Sequence, residues 1–352
     1  MGLPKININF FGKLKGKPKR SSAGTVALIL KDDTQTGETF VYKPDEKIEG
    51  WTPDNVISIT QSLEGGASKV IVECIAKTET DYTVALDRLK NKRFDYLAIP
   101  GIESADTTKI VDWIKSKRKN DRKRFKAVLP NTAANHESII DFTADEIKVG
   151  EDAYSTTEYT ARIAGILAGL PFNRSSTYFV LDEVTAVKEI DDPDAAVDNG
   201  ELILINDGKK IKIGRGVNSL KTITPEDQKN EEFKSIRVVE ILDMIHDEIY
   251  DNFNDNYIGK VPNIYDNQVL FLNEINRGFT ELEGLELLDA NADSAAWIDV
   301  DVQREAWELA GVDTSDWDDD KVKENAFKRH VFLGGKIRVV DTIEDLDFNI
   351  EI

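Results

Sequence analysis

Residues 52–75, TPDNVISITQSLEGGASKVIVECI, carry the pattern on which the fold turns. Thr52 stands where a helix N-cap belongs, Pro53 at the first helical position, and Gly65-Gly66 where the helix has to stop. Lys69–Ile75 then forms a short, nearly continuous apolar run, as expected of a strand covered on both faces. The alternation continues outward from this pair. Ahead of it, SSAGTVALIL reads as a first buried strand ending at Lys31. After it come a helix around DYTVALDRLKNKR, a strand at DYLAIPG, a helix around KIVDWIKSKRK and a strand at FKAVLP. Apolar runs separated by helical segments are the mark of βαβ units on a parallel sheet, so residues 23–195 are expected to form an α/β, doubly wound domain.

Inside that stretch, STTEYTARIAGILAGLPF is a helix with Ser155 and Glu158 at capping-box spacing. Ala161, Gly165 and Gly169 place small residues four apart on one side, which allows close backbone approach and is read as tight packing on the sheet. The turn-rich IDDPDAAVDNGE leads into residues 196–340, expected to be an α+β domain. There the segment LILINDGKKIKIG is a hairpin turning at Asp207-Gly208. A long amphipathic helix follows, with Phe233, Ile236, Ile241, Met244, Ile245, Ile249 and Phe253 near one stripe. Further helices are expected around FLNEINRGFTELEGL and KVKENAFKRHV, and a strand at GKIRVV.

With 352 residues, 40% of them hydrophobic and 31% charged, the chain can bury a sizeable core. A net charge of -20 argues against a general nucleic-acid binder, which needs a basic face for phosphates. No apolar h-region follows the basic N-terminus, and no run of about 18 apolar residues is present, so neither a secretory signal nor a membrane span is expected. The single cysteine, Cys74, lies in an apolar strand and reads as a small hydrophobe, with assembly in a cytoplasm implied.

The two ends are unusual. Residues 1–22 form a basic arm in which Ile6, Ile8 and Phe10 alternate with Asn7 and Asn9. Residues 341–352 form an acidic strand in which Leu346, Phe348, Ile350 and Ile352 alternate with Asp347, Asn349 and Glu351. Period-two patterning is that of a half-buried strand, yet chain ends are usually frayed and polar. Such ends need a partner: their own domain, or the sheet edge of a neighbouring subunit. IKIGR and GKIRVV are candidate receiving edges. The linker GKLKGKPKRSSAG is rich in Gly, Lys, Pro and Ser and suited to spanning a gap.

Signals of chemistry are weak. GKLKGKPK has Pro18 where a phosphate-binding loop wants Ser or Thr, and GRGVNSL lacks the third glycine of a dinucleotide fingerprint. His136, His246 and His330 have no Cys or His at metal-ligand spacing. DANADSAAWIDV resembles a calcium loop at Asp289, Asn291 and Asp293, but Ser294 and Val300 stand where Gly and Glu are required. No serine sits on a strand-to-helix elbow. Neither a cofactor, a metal nor an enzymatic activity is expected.

YTARIAGILAGLPFNRSSTYFVLDEV, GELILINDGKKIKIGRGVNSL, NDNYIGKVPN and KRHVFLGGKIRVVDTIEDLDFNIEI resemble the tail sheath proteins of contractile phage tails. The likeness is nearest to short sheaths of defective prophages and R-type bacteriocins of Gram-positive bacteria. It runs from arm to tail and is strongest from about residue 155 onward. What it implies is a parallel-sheet outer domain, subtilisin-like but non-catalytic, and an inner tube-facing domain from the C-terminal region. Hexameric rings would stack around a tail tube, tied by exchanged terminal strands, and contract without nucleotide to drive the tube through a target envelope. Ile6, Ile8 and Phe10 would belong to one exchanged strand and Leu346, Phe348, Ile350 and Ile352 to the other. Implied partners are further copies of the chain, the tail tube protein, and baseplate and tail terminator proteins, without nucleic acid or membrane insertion. The chain would assemble in a bacterial host cytoplasm and end in a phage or bacteriocin particle. The rivals are a sheath of another contractile injection machine and an oligomeric α/β enzyme with a crevice near Pro100 and Gly101.

Overall fold

In the computed structural model, the structure describes residues 8, 24–35, 38–224 and 229–351. Of these, 24–239 with 342–351 form one compact unit and 240–341 with residue 8 a second.

The first unit is built on β1 (Thr25–Lys31), β2 (Thr39–Tyr42), α1 (Pro53–Glu64), β3 (Lys69–Ile75), α2 (Thr83–Leu89), β4 (Tyr96–Ala98), α3 (Ser104–Asn120), β5 (Lys126–Pro130) and β6 (Ile139–Phe142). There follow β7 (Ile147–Val149), β8 (Asp152–Tyr154), α4 (Thr156–Gly169), β9 (Val184–Ala186), α5 (Pro193–Asp198), β10 (Glu201–Leu202), β11 (Leu204–Asn206) and β12 (Ile211–Ile213). Seven strands make one sheet in the order β10-β6-β5-β4-β1-β3-β2, parallel throughout except for β2, which runs antiparallel at one edge.

The near-continuous apolar strands have the expected cause. In β1, Val26, Leu28 and Leu30 enter a core with Ile59 of α1 and Tyr159 and Ile163 of α4. Ala27 and Ile29 point the other way, into a core with Leu86 and Leu89 of α2 and Ile110 and Ile114 of α3. Both faces are thus apolar, as a helix-covered parallel sheet requires.

The small residues of α4 meet a partner that sequence reasoning did not name. They pack on α1 as well as on the sheet: the Ser62 hydroxyl donates to the Ala161 carbonyl at 3.0 Å. A Cβ on Gly165 would lie 2.3 Å from the Ser62 carbonyl oxygen, and one on Gly169 would lie 2.7 Å from that of Gly65. Gly65 therefore ends α1 and also admits the backbone of α4. The capping box forms, with the Ser155 N–H donating to Glu158 Oε2 at 2.7 Å.

At the carboxyl end of β1, Asp32 is buried and accepts hydrogen bonds from the backbone N–H groups of Thr34 and Thr52 and from the Asn55 amide, at 2.7 to 2.9 Å. Burial would raise its pKa, but these bonds outweigh it and hold the carboxyl well below the usual range. Its oxygens are occupied in starting α1.

Asp141 on β6 is the opposite case. It lies beside Glu201 of β10 in the strand register and accepts from the Thr132 N–H. Burial, opposed by that hydrogen bond and reinforced by Glu201, raises its pKa to about 6. The folded-state value lies above the unfolded one, so this carboxyl's relative contribution to stability is full below about pH 4 and lost as pH rises through 6. Asp141→Asn keeps an acceptor for Thr132 and should stabilise the unit at pH 8 by up to about 3 kcal/mol, with no gain at pH 4. Urea midpoints at the two pH values measure this; equal shifts would contradict it.

The sequence placed a domain boundary near residue 195, whereas the units divide after Val239. The reason is that β10 adds to the parallel sheet, and Leu204, Ile211 and Ile213 of the β11-β12 hairpin are buried in the same core as β1.

The helix α6 (Ile236–Asn252) runs on into a π turn at Phe253–Tyr257. The second unit continues with α7 (Tyr265–Gly284), β13 (Ala295–Ile298), α8 (Val300–Leu309), α9 (Asp319–Glu324) and β14 (Leu333–Lys336). β13 and β14 pair antiparallel. Phe271, Ile275, Phe279 and Leu282 of α7 are buried, as are Leu288, Val322 and Val339. Asp299 and Asp318 cap α8 and α9 through the N–H groups of Val302 and Lys321. The acids around 313–320 are therefore partly helix starts, in keeping with the dipole. The candidate calcium loop instead makes a local turn, with Asp289 accepting from the Asn291 N–H. Among the described residues no group of three or more His, Cys, Asp or Glu is placed to hold a metal ion, and no helix is long and apolar enough to cross a membrane.

Candidate functional site: the terminal segments and their anchors

Of the residues singled out at the ends, Ile6, Phe10 and Ile352 lie outside the described residues, and Ile8 is half-buried in irregular chain. The C-terminal residues can be followed to Glu351. Residues 341–351 form no strand within the chain, although their sequence alternates as one. Leu346, Phe348 and Ile350 are 84, 75 and 70% exposed, and Asp347, Asn349 and Glu351 on the opposite face are exposed too. Among the described residues, neither face of this alternating pattern is covered. A row of large apolar side chains left in water costs several kcal/mol relative to burial.

The root of this segment is anchored. Arg215 Nε lies 3.1 Å from Glu344 Oε2, and its Nη2 donates to both oxygens of Asp345 at 2.6 Å. The Ser175 hydroxyl donates to Glu344 Oε1 at 3.1 Å. Arg215 follows β12, and the local backbone explains how it is presented. The Gly216 N–H donates to Thr177 Oγ1 at 2.9 Å, which draws the 175–177 turn against this strand end. A Cβ on residue 216 would lie 2.5 Å from the Ser176 hydroxyl, so the glycine is what admits the turn. Sequence reasoning saw the acidic end and missed Arg215; the charge complementarity of GRG to IEDLD was the available signal.

The two candidate receiving edges differ. IKIGR is not open: β12 pairs with β11 on one side, and on the other Ile213 exchanges hydrogen bonds with Tyr178 and Phe179. A hairpin packed into a core needs its second edge covered, and residues 178–181 do so. By contrast β14 pairs only with β13 among the described residues. The far edge of β13 is met at Ala296, whose N–H and carbonyl both bind the Asn276 side chain of α7, at 2.7 and 3.1 Å. Among the described residues, the edge of β14 away from β13 pairs with no strand.

The ionisable groups with strongly shifted pKa have structural employment. His136 is pushed down to about 4 by burial, beside Glu137, whose carboxylate is held by Arg118 and Lys229. Near the strand ends where an enzyme would place its crevice, the Gly101 N–H donates to Thr157 at 3.0 Å.

The described chain thus comprises a mixed α/β unit with a parallel sheet, a small α+β unit and an anchored, exposed C-terminal segment. The family model for the phage tail sheath protein central domain matches residues 76–219, and that for the phage tail sheath C-terminal domain matches residues 228–352. The chain is 35% identical over 361 residues to the tail sheath protein of Clostridium phage phiCD119, covering 100% of this chain and 99% of that one. It is 28% identical over 225 residues to the phage-like element PBSX protein XkdK of Bacillus subtilis, covering 61% of this chain and 46% of that protein. Among solved structures, the sheath tail protein of Desulfitobacterium hafniense superposes with a TM-score of 0.70 at 16% identity, over 85% of this chain and 94% of that one. The helical sheath of the anti-feeding prophage in its contracted state gives 0.68 at 12% identity, over 100% and 99%. The chain belongs to the phage tail sheath protein family. It is a structural tail sheath protein rather than an enzyme.

Proposed function

We propose that the chain polymerises as stacked hexameric rings around a tail tube, tied by exchanged terminal strands, and contracts to drive the tube through a target envelope. The exposure of Leu346, Phe348 and Ile350 with no cover inside their own unit carries this reading. Added to a neighbour's sheet edge, the segment gains main-chain hydrogen bonds while alternate side chains fill pockets. The remaining edge of β14 is the receiving one, and Ile6, Ile8 and Phe10 form the matching strand from the N-terminal arm. The first unit is the subtilisin-like, non-catalytic outer domain and the second faces the tube. Its partners are copies of itself, the tail tube protein, and baseplate and tail terminator proteins. It assembles in the bacterial host cytoplasm and ends in a phage or R-type bacteriocin particle. A sheath of another contractile injection machine is the second reading, favoured by the likeness to the anti-feeding prophage sheath along the whole chain.

Electron microscopy of the purified chain, alone and with tail tubes and baseplates, tests this. Hollow, striated tubes are expected. A chain that remains dispersed with tubes and baseplates present would overturn the proposal.

A further inference from the structure

We infer that Arg215 is a positioning residue, a clasp that holds residues 344–345 on their own unit and so fixes where the C-terminal strand departs for a neighbour. This rests on the strand-exchange reading above. The segment has two regimes. Glu344 and Asp345 are bound to Arg215 and Ser175 through charge and hydrogen bonds. One residue further on, among the described residues 346–351, the side chains are exposed. The change from held to presented falls between Asp345 and Leu346.

The chemistry suits such a boundary. An alternating segment with three bare apolar side chains tends to collapse onto the nearest apolar surface of its own chain. Pinning its root biases it outward instead. Two consecutive acids on one guanidinium give a two-point attachment that sets direction as well as position, because Arg presents a planar fork of donors. A lysine would offer a single point charge. The backbone that carries the fork is itself held, since the Gly216 N–H donates to Thr177, the Gly216 carbonyl accepts from the Ile236 N–H and the Arg215 carbonyl from the Val217 N–H.

The clasp is also releasable. The Arg215 side chain is 38% exposed and that of Asp345 83%, so the attraction is screened by salt. A root held this way keeps its place on a resting subunit yet swings when a lattice pulls on the strand beyond it. The bond is between groups of one chain, so it costs no partner to form.

The test uses the full chain in two assays. In the first, the chain is kept dilute and monomeric, and cleavage by a glutamyl endopeptidase after Glu344 is followed by mass spectrometry. Cleavage after other exposed glutamates is the internal standard. Arg215→Ala is expected to speed cleavage after Glu344 about three- to tenfold. One molar salt should speed it in the parent chain but add little in the variant. In the second, the critical concentration for tube formation is measured by sedimentation at low salt. Arg215→Glu should raise it by a similar factor. Reversing the partners as well, with Glu344→Arg and Asp345→Arg, should bring it back, and Arg215→Lys should fall between. Unchanged cleavage in Arg215→Ala, or no rescue by the triple reversal, overturns the clasp. A parent chain that forms no tubes defeats the strand-exchange reading instead, and the monomer cleavage rate still decides the clasp.

Discussion

A chain ending at Val340 is expected to fold normally and to form no tubes. Residues 342–351 give their unit no apolar cover, since Ile343, Leu346, Phe348 and Ile350 are all 70% exposed or more, so their removal opens no cavity. What it removes is the gain on assembly. Burying Leu346, Phe348 and Ile350 against a neighbour contributes roughly 5–9 kcal/mol per subunit, offset by the entropy of ordering the strand. A net loss of about 3–4 kcal/mol raises the critical concentration roughly one hundred- to seven hundredfold, since every 1.4 kcal/mol is about tenfold. Matched melting curves for the two chains, with tubes seen by electron microscopy only for the full one, are the expected result. Tubes of normal length from the shortened chain would remove the terminal strand from the mechanism. Phe348→Asp with Ile350→Asp should reproduce the defect without shortening the chain.

The second large effect concerns folding. Gly165→Val should abolish the folded state of the first unit. The Cβ would lie 2.3 Å from the Ser62 carbonyl oxygen and 2.8 Å from Ser62 Cα, backbone atoms that move only if α1 moves. Separating α1 from α4 would open the core shared by Ile59, Tyr159 and Ile163, so the cost is on the order of 4 kcal/mol or more, a size reserved for such overpacking. Gly165→Ala meets the same clash and should be poorly soluble as well. Gly278 on α7 is the control, because a Cβ there meets nothing within 4 Å. Gly278→Ala should stabilise by about 0.5–1 kcal/mol, the helix propensity difference. Chemical denaturation of both variants gives opposite signs if close backbone approach is what fixes Gly165. Equal effects would mean that the glycine at 165 answers to something else.

Residues with strong periodicity were legible in advance. Val26–Leu30 and Val70–Ile75 announced a sheet buried on both faces, and Ser155 with Glu158 announced the start of α4. Elements too short to show a period were not. β7, β8 and β9 have three residues each, and β2 is a four-residue edge with alternating exposure. The helix α8 went unread, because the stretch before it was weighed and set aside as a calcium loop at Asp289, Asn291 and Asp293, and its cap Asp299 was not recognised. The expected helix across residues 321–331 ends near Glu324, where the Asn325 amide turns back onto the Lys321 carbonyl. Beyond it Phe327 packs edge-on against Trp307. In the proposed exchange segment, the alternating apolar residues of the tail could be read from sequence. The pairing of Arg215 was not read, because its partners lie 129 and 130 positions away and only the charge complementarity of GRG to IEDLD hinted at it; the covered edge of β12 left no such hint.

The place of β1 in the sheet has a mechanical consequence. The chain enters the first unit through Gly24, whose N–H donates to the Ala168 carbonyl and whose carbonyl accepts from the Ser68 N–H. It then runs straight into a strand at the middle of the sheet, parallel to β3 over all seven of its residues and parallel to β4 on the other side. A pull along the preceding chain therefore acts along the strand axis and loads these ladders in shear, so that their bonds must yield together. An edge strand tugged sideways would give way one bond at a time. Tension entering at Gly24 is thereby shared by the whole unit rather than by one bond at a time.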